Sequence, residues 1–460
     1  MLLLLCSMTA WASEPPAERR VHERYAEEVA AIFEAASQDT TAYERLRVLC
    51  DEIGHRLSGS PQLETAIDWA AEGMREDGLV VRTEDVQVPR WVRGEESATL
   101  LQPMQRELSM LGLGMSVGGT VRAEVVVVED FEELASLPDQ AIEGKIVLFD
   151  KPFTTYGQTV GIRGGAAVEA AKRGAVGALI RSVGSDSLNT PHTGAMHYQE
   201  GVPQIPAAAL SIEHAAWLHR LHDSGQTVEV ELKMEAEHQG MVTSSNLIAE
   251  LPGRERPDEV VVVSCHYDSW DVGQGAQDDG AGCLMAWETL RLLKELDMTP
   301  RRTIRAVLYT NEENGLGGGK AYAEAHADEL PMHQAMIESD IGNGFADGFR
   351  VDLRGVDEAA RLRAQGLLWE VGQVLAPYSK MVAGYSGADI GPSVKLGVPG
   401  LGVAHDRSLY FHIHHTEADT FDKIVLEDLQ HNTGLIAAAA WVLAEMPERL
   451  VEPAKKRKRR

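Results

Sequence analysis

The 460-residue sequence is poor in positive charge: 43 lysines and arginines stand against 70 aspartates and glutamates, a net charge of −27. That balance excludes a nucleic-acid partner, because holding a phosphate backbone needs a basic face. The one basic block, Lys455-Lys-Arg-Lys-Arg-Arg460, follows Pro453 and reads as a solvated tail over 449–460. Cysteine is scarce as well, and four in a chain this long make no disulfide framework. With Cys6 in a cleavable leader, Cys50, Cys265 and Cys283 form an odd set, expected as buried thiols. Long apolar runs are missing too, since nothing past the first residues approaches the ~18 apolar residues of a membrane span. Internal repeats are absent.

What is present is ordinary for a globular protein, 44% hydrophobic and 25% charged, with length enough for two or three domains. Residues 1–13 resemble a secretory signal, with a short apolar core and a small-x-small site at Ala10-Trp11-Ala12, although no positive charge precedes the core. Leu5-Cys6 leaves a lipoprotein anchor open, and export to the periplasm or outside is expected. Thr41-Ala-Tyr-Glu44 has capping-box spacing, and Ser60-Pro61 opens a helix whose apolar residues recur from Leu63 to Met74. Leu79–Val88 then alternates as a strand. Residues 111–237 change texture. Strands at Ala123–Val128 and Lys145–Phe149, an Ala-rich helix over Gly165–Arg173 and the alternating Thr227–Met234 read as a small α/β domain inserted into the first. Its histidines, His192, His197, His214 and His219, are scattered and read as structural or surface residues. After Gly240, strands alternate with helices of about ten to fifteen residues, which implies a largely parallel, doubly wound sheet covered on both faces. The larger domain is thus discontinuous, 14–110 and 238–448.

Chemistry concentrates in that second half. The apolar run Glu259-Val-Val-Val-Val-Ser264 reads as a buried parallel strand. It empties into His266 and Asp268, a Gly-rich loop, and the paired acids Asp278-Asp279. Imidazole and carboxylates around flexible backbone are metal-site chemistry, and ligands in such sheets sit beyond the carboxyl ends of strands. Three further strand ends finish in similar residues: Asn311-Glu312-Glu313, Glu338-Ser-Asp340, and the region Phe411-His-Ile-His-His-Thr-Glu-Ala-Asp-Thr420. Each alone has a bland reading, as a structural histidine, a solvated acidic turn or a turn cap. Their coincidence in one sheet is what the bland readings fail to explain.

These segments resemble the co-catalytic zinc exopeptidases of the M28 type, nearest the plasma glutamate carboxypeptidase (carboxypeptidase Q) branch. The resemblance is carried by Ile53-Gly54-His55-Arg56, Gly59-Ser60, Val88-Pro89-Arg90-Trp91, the run from His266 to Asp279, Asn311-Glu-Glu-Asn314 and His415-Thr-Glu-Ala-Asp-Thr420. Gly144-Lys-Ile-Val147 and Ile205-Pro206 liken the insert to a protease-associated domain. The resemblance implies two zinc ions bridged by Asp278. His266 and Asp340 would complete one site, Glu313 and His415 the other. Glu312 would be the general base, Asp268 the acid that orients His266, and the Asp278–Asp279 peptide cis. Such a pair of ions activates water and clamps a tetrahedral intermediate, and imidazole with carboxylate suits zinc. The implied partner is a small peptide, attacked from its carboxyl end if the branch is the guide and from its amino end otherwise. A homodimer is implied by the same analogy.

Competing readings exist. Gly315-Leu-Gly-Gly-Gly-Lys320 is too short for a phosphate loop and is followed by Ala321, where a hydroxyl is needed. Gly384-Tyr-Ser-Gly-Ala388 is one residue from a nucleophile elbow, which would make Ser386 a serine nucleophile. Glutaminyl cyclases and receptor-like homologues without catalysis share the family fold.

Overall fold

A computed structural model describes residues 21–186 and 188–453. The leader over 1–13 and the Lys455–Arg460 block lie outside the described residues. In chain order the strands are β1 (Val80–Val92), β2 (Glu96–Gln102), β3 (Arg106–Leu108), β4 (Met110–Gly112), β5 (Gly119–Val128), β6 (Ile146–Phe149), β7 (Gly177–Arg181), β8 (Ala207–Leu210), β9 (Glu229–Met234), β10 (Glu237–Leu251), β11 (Arg256–His266), β12 (Arg302–Tyr309), β13 (His333–Glu338), β14 (Ala346–Asp352), β15 (Lys380–Ala383) and β16 (Gly400–His405).

The larger sheet has the order β1-β10-β12-β11-β13-β16-β14-β15. Its centre, β12-β11-β13-β16, is parallel throughout, while β10 and β14 join antiparallel on either side. A parallel strand is covered on both faces, so both faces must be apolar. β11 shows the division: Val261, Val263 and Cys265 enter the large core under helices Ala281–Glu295 and Leu426–Glu445. Val260 and Val262 enter a smaller core with Tyr309, Tyr322, Met336 and Ile390. The expected doubly wound α/β architecture is therefore the one observed.

The remaining strands form a second sheet, β3-β2-β9-β5-β6-β7-β8-β4, with apolar cores of its own. This sheet takes in Glu96–Leu108, upstream of the boundary read at residue 111. β2 pairs with β9 far downstream (Ala98 opposite Leu232), and alternation alone cannot say which sheet a strand will join. Helix Tyr156–Ala171 likewise starts well before the expected Gly165, because Gly157, Gly161 and Gly164 disguise its first turns. The two sheets are linked by the antiparallel ribbon of β1 and β10, paired from Val80–Glu250 to Val92–Glu237.

The cysteine expectation is corrected. Cys265, at the end of β11, and Cys283, in the first turn of helix Ala281–Glu295, form a disulfide with Cα atoms 5.1 Å apart. The odd count excluded only that all three pair. The Gly-rich loop brings the chain back beside the strand it left, which places those two side by side. Cys50 stays a buried thiol.

Candidate active site

The four adjacent parallel strands deliver their carboxyl ends to one edge of the larger sheet. His266 ends β11, Glu312 and Glu313 follow β12, Asp340 follows β13, and His415 lies beyond β16. Asp278 arrives from the loop after β11. Gly273 and Gly275 both take positive φ there, and a side chain at Gly273 would strike the carbonyls of Thr416 and Asp419. The Asp278–Asp279 peptide is cis.

Asp278 sits between two imidazoles. Its Oδ1 is 3.2 Å from His266 Nε2, and its Oδ2 is 3.3 Å from His415 Nε2. Each imidazole faces a second carboxylate: Asp340 Oδ1 lies 3.2 Å from His266 Nε2, and Glu313 Oε2 lies 3.1 Å from His415 Nε2. The five residues assigned as ligands thus converge as two groups sharing Asp278. Asp278 Oδ2 and Glu313 Oε1 are buried without a hydrogen bond. Orphaned carboxylate oxygens beside imidazole nitrogens fit divalent zinc, whose preferred donors are these. Electrostatics agree. Burial pushes up the Glu313 and Asp340 carboxyls, and neighbouring Asp278 adds to it, outweighing the nearby imidazoles. Burial opposes the charged form of His266 too, yet its hydrogen bonds to Asp278 and Asp340 hold it well above the ordinary histidine value. Asp278 also resists its burial and lies well below the usual carboxylate range, through His266 and His415.

Glu312 differs from its neighbour. It keeps part of its surface open to the cavity in front of the cluster. Desolvation raises its pKa well above the ordinary value, His266 offsets this only in part, and Asp340 and Glu313 add to the rise. A carboxyl group with raised proton affinity, free of the imidazoles, is what a proton shuttle requires. Asp279 takes no such part. Its oxygens accept the backbone N–H groups of His266 and Gly282 at 3.3 and 3.2 Å, and burial keeps its pKa well above normal.

Asp268 does something other than the orienting role carried over by resemblance. The ring of His266 is held through Nδ1 by the main-chain oxygen of Asp268 at 2.9 Å, with the carboxylate 4.0 Å away. The carboxylate instead accepts the backbone N–H groups of Glu312 (3.0 Å) and Glu313 (3.3 Å) and the hydroxyl of Ser58 (2.8 Å). It therefore fixes the turn that presents the two glutamates, a turn entered through Asn311 at φ 63°. Buried Arg56 gives the Ile53–Arg56 segment its purpose. Its guanidinium donates to the carbonyls of Gly54, Tyr267, Gln274 and Gly275, tying down the loop between His266 and Asp278.

Three contributors escaped the sequence. Asp419 accepts the backbone N–H groups of Gln277 (2.7 Å) and Asp278 (3.2 Å), which locks the shared acid in place. His414 stacks on His415 and brings Nε2 to 3.6 Å from Asp278 Oδ2. Its position in the pair His414-His415 was the available signal. Arg163, on helix Tyr156–Ala171, reaches from the second sheet to within 3.2 Å of His415 Nδ1. No local pattern marked it. The insert also braces this segment through His192 Nδ1 against the His414 carbonyl (2.7 Å) and Thr193 N against the His415 carbonyl (2.9 Å). The scattered histidine His192 is thus structural. Ser386 is buried with its hydroxyl unpartnered among the described residues, so no base activates it and the serine-nucleophile alternative is set aside.

The cavity in front of the cluster holds about 770 Å³, its walls shared between Phe153–Gly157, Arg163 and His197 of the insert and Glu312–Leu316, Tyr385, Tyr410 and Phe411 of the larger domain.

A profile of Peptidase family M28 matches residues 246–440. The sequence is 42% identical to carboxypeptidase Q of Xenopus laevis over 420 residues, 89% of this chain and 87% of that protein. It is 39% identical to carboxypeptidase Q of Homo sapiens over 470 residues, 98% of this chain and 97% of that one. Among solved structures, a peptidase M28 precursor from Shewanella amazonensis superposes with a TM-score of 0.87 at 35% identity, covering 95% of this chain and all of its own. A zinc aminopeptidase from Bacillus subtilis has the same fold, with a TM-score of 0.65 at 21% identity over 88% and 94% of the two chains.

Proposed function

The chain belongs to peptidase family M28 and is a zinc metallopeptidase, and from that premise we propose that it cleaves small peptides or dipeptides as an exopeptidase of the carboxypeptidase type, using two zinc ions. The observation that carries this reading is the division of Asp278 between two imidazoles, each with a carboxylate of its own. His266 and Asp340 would hold one ion and Glu313 and His415 the other, with Asp278 common to both. The chemistry zinc supplies when bound is Lewis-acid polarisation of a carbonyl and a lowered pKa for water.

The remaining work falls to side chains. Glu312 takes the proton of the attacking water and returns it to the leaving amine, which its raised proton affinity favours. Asp268 keeps Glu312 facing the cavity by holding its N–H. Asp419 keeps the shared carboxylate where both imidazoles meet it. The second sheet, read as a protease-associated-like insert, closes the cavity and steadies His414 and His415. The Cys265–Cys283 disulfide supports export, since such bonds persist in oxidising compartments. No helix among the described residues is long and apolar enough to cross a membrane. A homodimer remains part of the proposal by analogy.

The test is Glu312→Gln. The variant is expected to bind zinc as the parent does and to lose at least ~100-fold in kcat, the lower end of what general base catalysis contributes. Near-parental turnover with full zinc content would remove Glu312 from the reaction.

A further inference from the structure

With Nε2 of His415 turned to Asp278 and Glu313, its Nδ1 carries the ring hydrogen. That N–H faces the main-chain oxygen of Thr193 at 3.3 Å. Arg163 Nη1 stands 3.2 Å from the same nitrogen, but two N–H groups cannot bond each other, so the Thr193 carbonyl is the acceptor. Thr193 N also donates to the His415 carbonyl at 2.9 Å. One residue of the insert therefore grips both the ring and the main chain of a proposed ligand. A ligating histidine relies on such an acceptor at its outer nitrogen, which fixes the tautomer and the orientation of the ring. His266 finds its own acceptor, the Asp268 carbonyl at 2.9 Å, inside the larger domain. His415 finds it only across the domain boundary.

Thr193 lies on the long connection between β7 and β8, and its hydroxyl is what ties it down. The hydroxyl donates to the Gly112 carbonyl at 2.7 Å and accepts from Arg93 Nη2 at 3.3 Å. Arg93 stands between β1 and β2, at the far end of the ribbon, with its side chain only 10% exposed. A guanidinium has five N–H donors, and here each has an acceptor. Nε and Nη2 take the Asp271 carboxylate as a fork, at 2.9 and 2.6 Å. Nη1 reaches the Gly112 carbonyl at 2.6 Å and Glu96 Oε1 at 3.3 Å, and Nη2 adds Thr193. Asp271 belongs to the loop that runs from His266 to Asp278. Its neighbour Trp270 is buried in a core of the second sheet, against Gly114, with its ring 5.6 Å from that of His415. Arg93 thus joins the loop bearing two proposed ligands to the residue that holds a third. A forked pair fixes orientation as well as charge.

We propose that Thr193 and Arg93 are positioning residues of the metal centre: the insert supplies the outer partner of His415, and Arg93 locks that partner against the His266–Asp278 loop. This rests on the two-zinc reading and makes the two ions unequal. The ion of Glu313 and His415 depends on the insert, and the ion of His266 and Asp340 does not.

Zinc is titrated calorimetrically, against a competing chelator, into the metal-free parent, Thr193→Val, Arg93→Met and His415→Ala. The parent should show two binding steps, and His415→Ala identifies one of them by abolishing it. Thr193→Val should weaken that step roughly tenfold and Arg93→Met by up to about 100-fold, with the other step held within about threefold. The urea midpoint of metal-free Thr193→Val should match the parent's, which separates positioning from a general loss of structure. If Arg93→Met does not fold, Thr193→Val decides alone. An unchanged step in Thr193→Val, or an equal weakening of both steps, would overturn the proposal. If the parent takes up a single ion, the two-zinc reading fails and that one affinity is the judge. A tenfold drop in Thr193→Val at an unchanged urea midpoint then upholds the positioning role, and an unchanged affinity overturns it.

Discussion

Asp268→Asn separates two ways in which this acid could serve the site. In the structure its carboxylate is wholly buried and accepts three bonds: Glu312 N on Oδ1, and Ser58 Oγ and Glu313 N on Oδ2. Asparagine has one acceptor oxygen. Turned towards Glu312, it leaves its NH2 facing Ser58, whose hydroxyl can rotate to accept, and the Glu313 N–H, which cannot. The net loss is one charge-assisted hydrogen bond with a buried donor left unpaired, about 1.5–3 kcal/mol. If that energy holds Glu312 in its working position, kcat falls by roughly 10–150-fold at tenfold per 1.4 kcal/mol. KM should change little, because Asp268 does not line the cavity. Ser58→Ala should act in the same direction by only a few-fold. Steady-state kinetics at saturating zinc, with zinc stoichiometry measured on the same samples, make the check. A kcat for Asp268→Asn within threefold of the parent would refute the account of the glutamate turn. So would a loss confined to KM.

The Cys265–Cys283 bond closes a loop with a sequence separation of 18, and the loop-entropy relation gives it about 3 kcal/mol. The double variant Cys265→Ser/Cys283→Ser should unfold at correspondingly lower denaturant, and an unchanged midpoint would show that the loop is held by its other contacts. His333, buried between the Tyr322 hydroxyl and the Glu329 carbonyl, is brought down to about 4, first by burial and then by Arg305. Above the unfolded value near 6.5 the ring is neutral in both states. As pH falls, the unfolded chain takes up the proton first, so stability drops between about 6.5 and 4. From pH 7 to pH 5 this group alone should cost about 2 kcal/mol. His333→Gln should remove that part of the slope in paired denaturation curves, and identical slopes would contradict it.

Much of the site was legible because its chemistry sits where the strands end. The apolar run before His266, and the acids after β12 and β13, mark parallel strands and their exits in one reading. What lay hidden depends on contacts between distant segments. Glu96–Gln102 alternates as any edge strand would, and only its pairing with β9 assigns it to the second sheet. The glycines of helix Tyr156–Ala171 masked the element that carries Arg163. Asp419 stood inside a recognised segment, but its task is to receive two N–H groups from residues far earlier in the chain. Asp268 was given a partner by analogy, and the carboxylate turned out to face the glutamate turn while its main chain holds the imidazole. Counting cysteines could not say which two would meet.

The ribbon of β1 and β10 has a consequence for how such an enzyme can diversify. The five proposed zinc ligands and Glu312 lie between His266 and His415, beyond the second strand of that ribbon. The insert residues that wall the cavity, Phe153–Gly157, Arg163 and His197, lie wholly between its two strands. A graft made at Val92 and Glu237, the ribbon's far end, would exchange those cavity walls without altering the segments that carry the proposed ligands, provided the new insert renewed the contacts of His192 and Thr193 with the carbonyls of His414 and His415.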